Sequence, residues 1–314
     1  MRPRLSVDVL IFSDIRDFHT ERIIKALPQD CTTLVLNLDR YGHDFVFLWS
    51  SLAGPICVLQ SSVETSVEYS LSKVRSVWWR RPFGLVRSPR WPSRTAATNP
   101  TLGFLYGIVT CIGTVGLQIN DLNSQFAADR KMWQLNVAKS VGFDVPKTLI
   151  TDQYDEGILF AQCVESCVVK GHSSLIDIDG TQFLQDVQPS LEGHQEGPLI
   201  FQEFVRADRE HRLIHCGGFI AGGTFEIADF EVSDVRAIPN LRPLRACVPL
   251  EIEQRMVAYC RRMNLHYAAF DIRENNGRYT FLEANTCGEW LYVDACNDYR
   301  ITETLAAHLV NPAH

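Results

Sequence analysis

Over about the first 125 positions, short apolar runs alternate with stretches of helical spacing, the pattern of an α/β sheet with helices packed on it. The run from Val7 to Ser13, ended by Asp14, predicts an inner strand, and Phe18 to Leu27 repeats its apolar positions at helical intervals. Thr33 to Leu38, Phe45 to Trp49 and Val74 to Trp79 predict further strands. Arg80 to Pro100 holds four prolines, which exclude a helix or a central strand and leave a long loop.

The pattern changes near Ser124. This residue is placed to cap a helix running to about Val141, stopped by Gly142. Pro146 then imposes an extended backbone, so Lys147 to Thr151 predicts a strand. Val168 to Lys170 and Leu199 to Val205 predict two more. Strands near Arg212 to Phe219 and Gly223 to Phe230 follow, then a helix from Pro249 to Met263, a hairpin from Tyr267 to Asn285 and a last helix near the C-terminus.

At 314 residues, 46% of them apolar and 21% charged, the chain can bury sizeable cores in two to three compact units. A formal net charge of -7 argues against a general nucleic-acid binder, which would present a basic face. Ten cysteines lie scattered without a C-x-x-C pair or zinc-like spacing, as expected of reduced thiols in a cytoplasmic protein. The apolar run at the N-terminus is too short for a signal peptide core. Pro100 to Asn120 carries no charge over a length that falls within the ~17–25 residues of a membrane span. Its glycines and threonines favour a buried helix and a short inner strand instead, so no membrane partner is expected.

The most informative segment is Tyr267 to Asn285, Y-A-A-F-D-I-R-E-N-N-G-R-Y-T-F-L-E-A-N. Two apolar strands flank an Asn-Asn-Gly turn, yet Asp271, Glu283 and Asn285 interrupt their inner ends. Glu283 and Asn285 are two apart and share one strand face. Two carboxylates and an amide carbonyl are hard oxygen ligands, suited to a Mg²⁺ that also grips phosphates. The bland alternative, polar residues of a half-exposed hairpin, is weakened by Phe270, Ile272, Phe281 and Leu282, which imply burial. The loop length matters. A two-residue loop pairs Asp271 with Leu282 and sets Asp271 and Glu283 on opposite faces, whereas a three-residue loop from Asn275 to Gly277 pairs Ala269 with Glu283 and gathers all three ligands. The second register, with a bulge at Gly277, is therefore expected.

Other candidates are weaker alone. Leu199 to Val205, L-I-F-Q-E-F-V, is a strand running into a linker with free backbone groups. Over Gln202, Glu203, Phe204 and Val205, an adenine edge would put N6 on the Glu203 carbonyl and N1 on the Val205 amide. Asp208 and Glu210 then fall near the ribose hydroxyls. Lys170 ends an apolar strand and Lys131 lies in the first helix of this unit; each is ordinarily a solvated or snorkelling side chain. Arg212 and Arg236 suit planar contact with phosphate or carboxylate, and surface ion pairs are the competing explanation. Neither a P-loop nor a G-x-G-x-x-G fingerprint occurs, and Gly171 to Ser174 is a short polar stretch able to cover phosphates. His211, His215 and Cys287 lack a third metal partner and are expected to be structural.

Taken in order, Lys131, Lys170, Q-E-F-V, Arg212, A-A-F-D-I-R and F-L-E-A-N resemble the ATP-grasp superfamily, and more closely the ribosomal-peptide ligases that make microviridin-like graspetides. W-W-R-R-P at Trp78 to Pro82 is similar to that family's pre-grasp signature. D-V-R at Asp234 to Arg236, the stretch from Lys131 to Thr148 and G-E-W-L-Y-V-D at Gly288 to Asp294 extend the likeness over nearly the whole chain. Thr286-Cys287 departs from it, standing where a proline is common, and Arg87 to Arg94 is idiosyncratic.

The resemblance implies a pre-ATP-grasp α/β domain at 1–123 and a two-lobed, α+β ATP-grasp fold, with a central lobe at 124–205 and a C-terminal lobe at 206–314. It implies ATP and Mg²⁺ as cofactors, Lys131 and Lys170 on the phosphates, and Glu203 and Val205 on adenine. Asp271, Glu283 and Asn285 would hold the metal, with Arg212 and Arg236 at the γ-phosphate or acyl phosphate. The implied substrate is a precursor peptide of leader and core, whose Asp or Glu side chains are joined to Ser, Thr or Lys, with a homodimer as candidate assembly. Two rivals remain: an amino-acid ligase that adds free residues to a peptide or protein, and a nucleotide-binding protein without catalysis. Joint retention of Asp271, Glu283 and Asn285 speaks against the latter.

Overall fold

The computed structural model describes residues 4–14, 16–59, 67–81, 100–113, 116–171, 181–186, 197–228, 230, 232, 235 and 238–311. The chain forms two compact units. One comprises Met1–Gln125, Asn264–Tyr267 and Tyr299–His314, and the other Phe126–Met263 and Ala268–Asp298. The last helix lies with the first unit.

In the first unit, β1 (Arg4–Ser6), β2 (Val9–Phe12), β3 (Thr33–Leu36), β4 (Phe45–Ser50), β5 (Gly54–Leu59), β6 (Val67–Ser70), β7 (Ser76–Trp79) and β8 (Leu117–Ile119) build two sheets. One is parallel throughout, in the order β3-β2-β7-β8, and the other runs β1-β6-β5-β4. All of β2 is buried, as the unbroken apolar run requires of an inner parallel strand. Helix α1 (Phe18–Ala26) starts at Asp17, whose carboxylate accepts the His19 and Thr20 N–H groups at 2.9 and 3.0 Å. Arg80 and Arg81 of the W-W-R-R motif reach the same carboxylate, and Trp79 stacks on Phe12 with centroids 4.2 Å apart. Pro82 and Arg87 to Arg94 lie outside the described residues. The uncharged stretch is a helix, α2 (Pro100–Gly113), followed by β8. Among the described residues no helix is long and apolar enough to cross a membrane.

The helix expected from Ser124 to Val141 is two, α3 (Leu122–Ala128) and α4 (Lys131–Ser140). Its cap is Asp121, which accepts the Ser124 N–H at 2.8 Å, so Ser124 is a third-position residue and not the cap.

The second unit holds two sheets. The antiparallel sheet β11-β10-β12-β9 is made of β9 (Thr148–Thr151), β10 (Cys167–Gly171), β11 (Gln182–Phe183) and β12 (Leu199–Glu203). Cys167, Val169, Leu199 and Phe201 pack with Tyr154 and Ile158 of α5 (Tyr154–Ala161). By strand alternation this turns Val168, Lys170, Ile200 and Gln202 to the other face. The second sheet runs β15-β14-β13-β16-β17, from β13 (Arg209–Cys216), β14 (Phe219–Glu226), β15 (Leu244–Arg245), β16 (Tyr267–Asn275) and β17 (Arg278–Asn285). Tyr259 of α6 (Leu250–Met263) packs on Phe270 and Phe281 at 5.3 and 5.4 Å, which fixes the core side of the β16–β17 hairpin. The C-terminal elements are α7 (Leu291–Asp294) and α8 (Arg300–Val310).

The hairpin corrects the expected register. Asn275 pairs with Arg278 across a two-residue loop, Asn276-Gly277, both with positive φ (50° and 75°), the backbone an Asn-Gly turn favours. The irregularity lies elsewhere: Ile272 pairs with Phe281 but Asp271 with Glu283, so Leu282 is the extra residue of a β-bulge. The bulge answers a conflict written in the sequence. Phe281 and Glu283 are two apart and would share a face on a regular strand, yet one belongs in the core and the other does not. One extra residue reverses the alternation, so Phe281 meets α6 and Glu283 lies beside Asp271.

Candidate active site

The face of the five-stranded sheet opposite α6 gathers the predicted polar residues. Arg212 on β13 reaches across to Asp271 on β16, with Nη1 2.7 and 2.8 Å from the two carboxylate oxygens. Glu283 and Asn285 stand on the same face, paired with Asp271 and Ala269. Lys131, at the first turn of α4, packs along the sheet edge formed by β17. Its Nζ donates to Glu283 Oε2 at 3.1 Å and to the Leu282 carbonyl at 2.8 Å. That carbonyl belongs to the bulged residue, which takes it out of regular strand pairing. Lys170, on the open face of the four-stranded sheet, donates to Gln202 Oε1 at 3.4 Å and lies within electrostatic reach of Lys131, Glu283 and Asp271. The structure thus brings together Lys131, Lys170, Gln202, Arg212, Asp271, Glu283 and Asn285.

Their charges pull the acid groups apart. The Lys131 ammonium holds the Glu283 carboxyl down at about 2, with help from Lys170. Burial, with Glu283 nearby, pushes Asp271 up while Arg212 counters. Burial and the adjacent Lys131 push Lys170 down to about 8. Glu283 is therefore ionised throughout the neutral range, and its side chain is 41% exposed, accessible to a ligand. Asn285 Oδ1 accepts the Cys287 N–H at 2.9 Å and keeps a second lone pair. Two carboxylates and this carbonyl form an oxygen donor set that fits Mg²⁺.

The linker after β12 is held on both sides. Glu203 exchanges contacts with Lys147, its N–H donating to the Lys147 carbonyl at 2.9 Å and its carboxylate accepting the Lys147 N–H at 3.2 Å. Phe204 donates its N–H to the Ser166 carbonyl at 2.8 Å. The Val205 carbonyl accepts from Arg273, and among the described residues its amide makes no hydrogen bond.

The two ribose candidates carry contacts of their own within the protein. Asp208 accepts the Asn276 N–H at 3.0 Å and so caps the tip of the hairpin, five residues, or about 16 Å, along β16 from Asp271. Glu210 is buried in an ion pair with Arg273 Nε at 2.8 Å. Each carboxylate thus accepts from a neighbouring segment of the protein. Arg236, with Asp234 and the His172 to Ser174 stretch, lies outside the described residues. His211 bridges Thr224 Oγ1 and Glu274 Oε2 at 2.9 and 3.0 Å, a structural role as expected.

Two residues that the sequence did not single out shape the site. One is Arg273, whose guanidinium donates to the Val205 carbonyl at 2.9 Å. The other is Gly288: a methyl there would lie 2.8 Å from Arg212 Nη2 and inside contact distance of the Ala269 Cβ. Arg212 is also held by the Glu289 carbonyl at 3.1 Å, so the backbone at 288 and 289 forms the wall against which its guanidinium rests. Gly288→Ala is expected to dislodge Arg212 and to cost about 1–3 kcal/mol, as overpacking does. An unchanged urea midpoint would overturn this placement.

No protein-family model and no curated protein matches the chain. Solved structures do. The macrocyclase MdnC bound with precursor peptide MdnA from Microcystis aeruginosa MRC is 24% identical, covering 98% of this chain and 100% of that one at a TM-score of 0.79. The Chryseobacterium gregarium RiPP-associated ATP-grasp ligase, in complex with ADP and a leader and core peptide, is 20% identical, with 99% and 98% covered at 0.75. The ATP-grasp ligase PsnB, complexed with minimal precursor, Mg and ADP, is 18% identical, with 99% and 98% covered at 0.74. The chain has the fold of an ATP-grasp ligase. Within that fold its likeness runs end to end to ligases solved with precursor peptides.

Proposed function

We propose that the protein is an ATP- and Mg²⁺-dependent ligase that activates Asp or Glu side chains of a precursor peptide as acyl phosphates and closes macrocycles on Ser, Thr or Lys side chains. The observation that carries this is the meeting of Lys131, Lys170, Arg212, Asp271 and Glu283 in one site of this fold. The two lysines bind the phosphates, and the backbone of Glu203 and Val205 takes the adenine edge. Asp271, Glu283 and Asn285 would hold the metal, which when bound would neutralise charge on the phosphates.

A carboxylate is a poor acylating agent. The peptide carboxylate attacks the γ-phosphorus, ADP leaves, and the resulting mixed anhydride is attacked by the hydroxyl or amine, releasing phosphate and a proton. Arg212 steadies the charge that develops on the transferred group. Phosphoryl transfer demands positioning and charge stabilisation and no protein nucleophile, which agrees with the structural role of His211.

The test is to incubate the protein with ATP, Mg²⁺ and a candidate precursor, a short peptide rich in Thr and Glu or Asp. The expected product is lighter by one water per ring, with one ADP formed per water lost. AMP in place of ADP would overturn the acyl-phosphate route, and ADP release with free amino acids alone would favour an amino-acid ligase.

A further inference from the structure

The segment between β12 and β13 has no regular backbone pattern. To present a carbonyl and an amide to an adenine edge at fixed spacing, it must nevertheless keep one conformation. Resting on the adenine placement proposed above, we propose that Arg273 is a positioning residue that fixes this linker and thereby sets the affinity and selectivity for the purine base, without touching the nucleotide.

Arg273 is 3% exposed, and its guanidinium serves three separate segments. Nη1 donates to the Val205 carbonyl at 2.9 Å, Nη2 to the Val232 carbonyl at 2.8 Å and Nε to the Glu210 carboxylate at 2.8 Å. The same guanidinium lies 4.9 Å from the centre of the Phe204 ring, which packs in turn on Phe183 at 4.8 Å. The Val205 amide is thus pinned from both sides. Before it, Phe204 is held by its ring and by its N–H to Ser166; after it, the Val205 carbonyl is tied to Arg273. A lysine keeps the charge opposite Glu210 but lacks the planar fork that reaches two carbonyls at once.

The place of Arg273 on its strand strengthens the case. It is two residues from Asp271 on the same face of β16, a separation of about 6.6 Å along a strand. One rigid strand therefore carries both the metal carboxylate and the anchor of the base-binding linker. Were Arg273 no more than the partner of Glu210, one nitrogen would suffice, and exchanging the pair for apolar side chains would leave nucleotide binding untouched.

The experiment compares the full chain with Arg273→Lys and with the double variant Arg273→Met/Glu210→Leu, which removes the ion pair without orphaning a charge. Binding of ADP and of GDP with Mg²⁺ is measured by calorimetry, and folding by thermal melting. Both variants are expected to melt near the wild type yet bind ADP about tenfold more weakly or worse, since a hydrogen bond from a charged group is of that order. Their preference for ADP over GDP should shrink, and the KM for ATP should rise with kcat nearly unchanged. Folded variants with wild-type ADP affinity and preference would overturn the inference, as would failure of both to fold, since Arg273 would then hold the lobe and not the linker. A wild type that binds no ADP would instead bring down the proposed function, and the inference with it.

Discussion

Glu283→Gln should fold, bind peptide and lose peptide-dependent ADP release by ~10²–10³, the usual effect of removing one preorganised electrostatic group. The substitution preserves shape and one carbonyl ligand while deleting a charge from the proposed metal site. Glu283 faces Asp271 across the hairpin and accepts from Lys131, so its carboxylate sits where the proposed metal and the ammonium proposed to bind phosphate would meet. A coupled-enzyme assay for ADP, run with a cognate peptide, reads the loss; full activity would remove Glu283 from the metal site. Its effect on stability follows from the same neighbours. The folded protein holds this carboxyl at about 2, below the ordinary glutamate value of 4.5, so Glu283 contributes stability above pH 4.5 that is lost as pH falls towards 2. The glutamine variant is therefore expected to be slightly less stable than wild type at neutral pH, with the difference vanishing in acid. Considered from charge type alone, a cluster of carboxylates would have gained by losing one; the nearby lysines reverse the sign.

The hairpin shows what a sequence can and cannot disclose about such a site. That Asp271, Glu283 and Asn285 are ligand-like was legible from hydrophobic strands interrupted by hard oxygen donors. That Asp271 and Glu283 share a face was legible too, but through the wrong device. Loop length was asked to supply a shift that a bulge at Leu282 supplies, because Asn276-Gly277 is a strong two-residue turn and a bulge leaves no composition signal. The conflict between Phe281 and Glu283 was the available clue. Asp208 and Glu210 were placed near the ribose by proximity in sequence to the linker. A carboxylate's partner is a matter of tertiary contact, and here the two accept from the hairpin tip and Arg273. Gly288 escaped notice for a similar reason, since its lack of a side chain matters only because Arg212 and Ala269 fill the space. The inner strands β2 and β7 of the parallel sheet, by contrast, were legible to within about two residues at each end, because burial on both faces writes an unbroken apolar run.

Lys170→Met should produce a protein more stable than the wild type and much poorer at binding nucleotide. The apolar stem of Lys170 fits a strand end that methionine also fits, so the change removes chiefly the ammonium. In the folded state burial and Lys131 hold this group at about 8, below the ordinary lysine value of 10.5. A lysine depressed in this way opposes folding while it is charged in both states. The unfolded chain keeps a proton between pH 8 and 10.5 that the folded chain has released, so wild-type stability rises with pH across that window. The methionine variant lacks the penalty and should gain on the order of 1–3 kcal/mol at pH 7, an advantage that fades by pH 10.5. Urea unfolding at pH 7, 9 and 10.5 reads the convergence; parallel curves with no gain would overturn the placement of a half-buried ammonium beside Lys131. Nucleotide binding should move the other way. A polyphosphate restores the charge that burial opposes, so binding near pH 8 takes up a proton and weakens by up to about tenfold per pH unit above it. Without the ammonium, affinity for ADP with Mg²⁺ should fall ~10- to 100-fold at pH 7, the range for losing a charge-assisted hydrogen bond. A Lys170→Met protein that binds ADP as the wild type does would take Lys170 away from the phosphates.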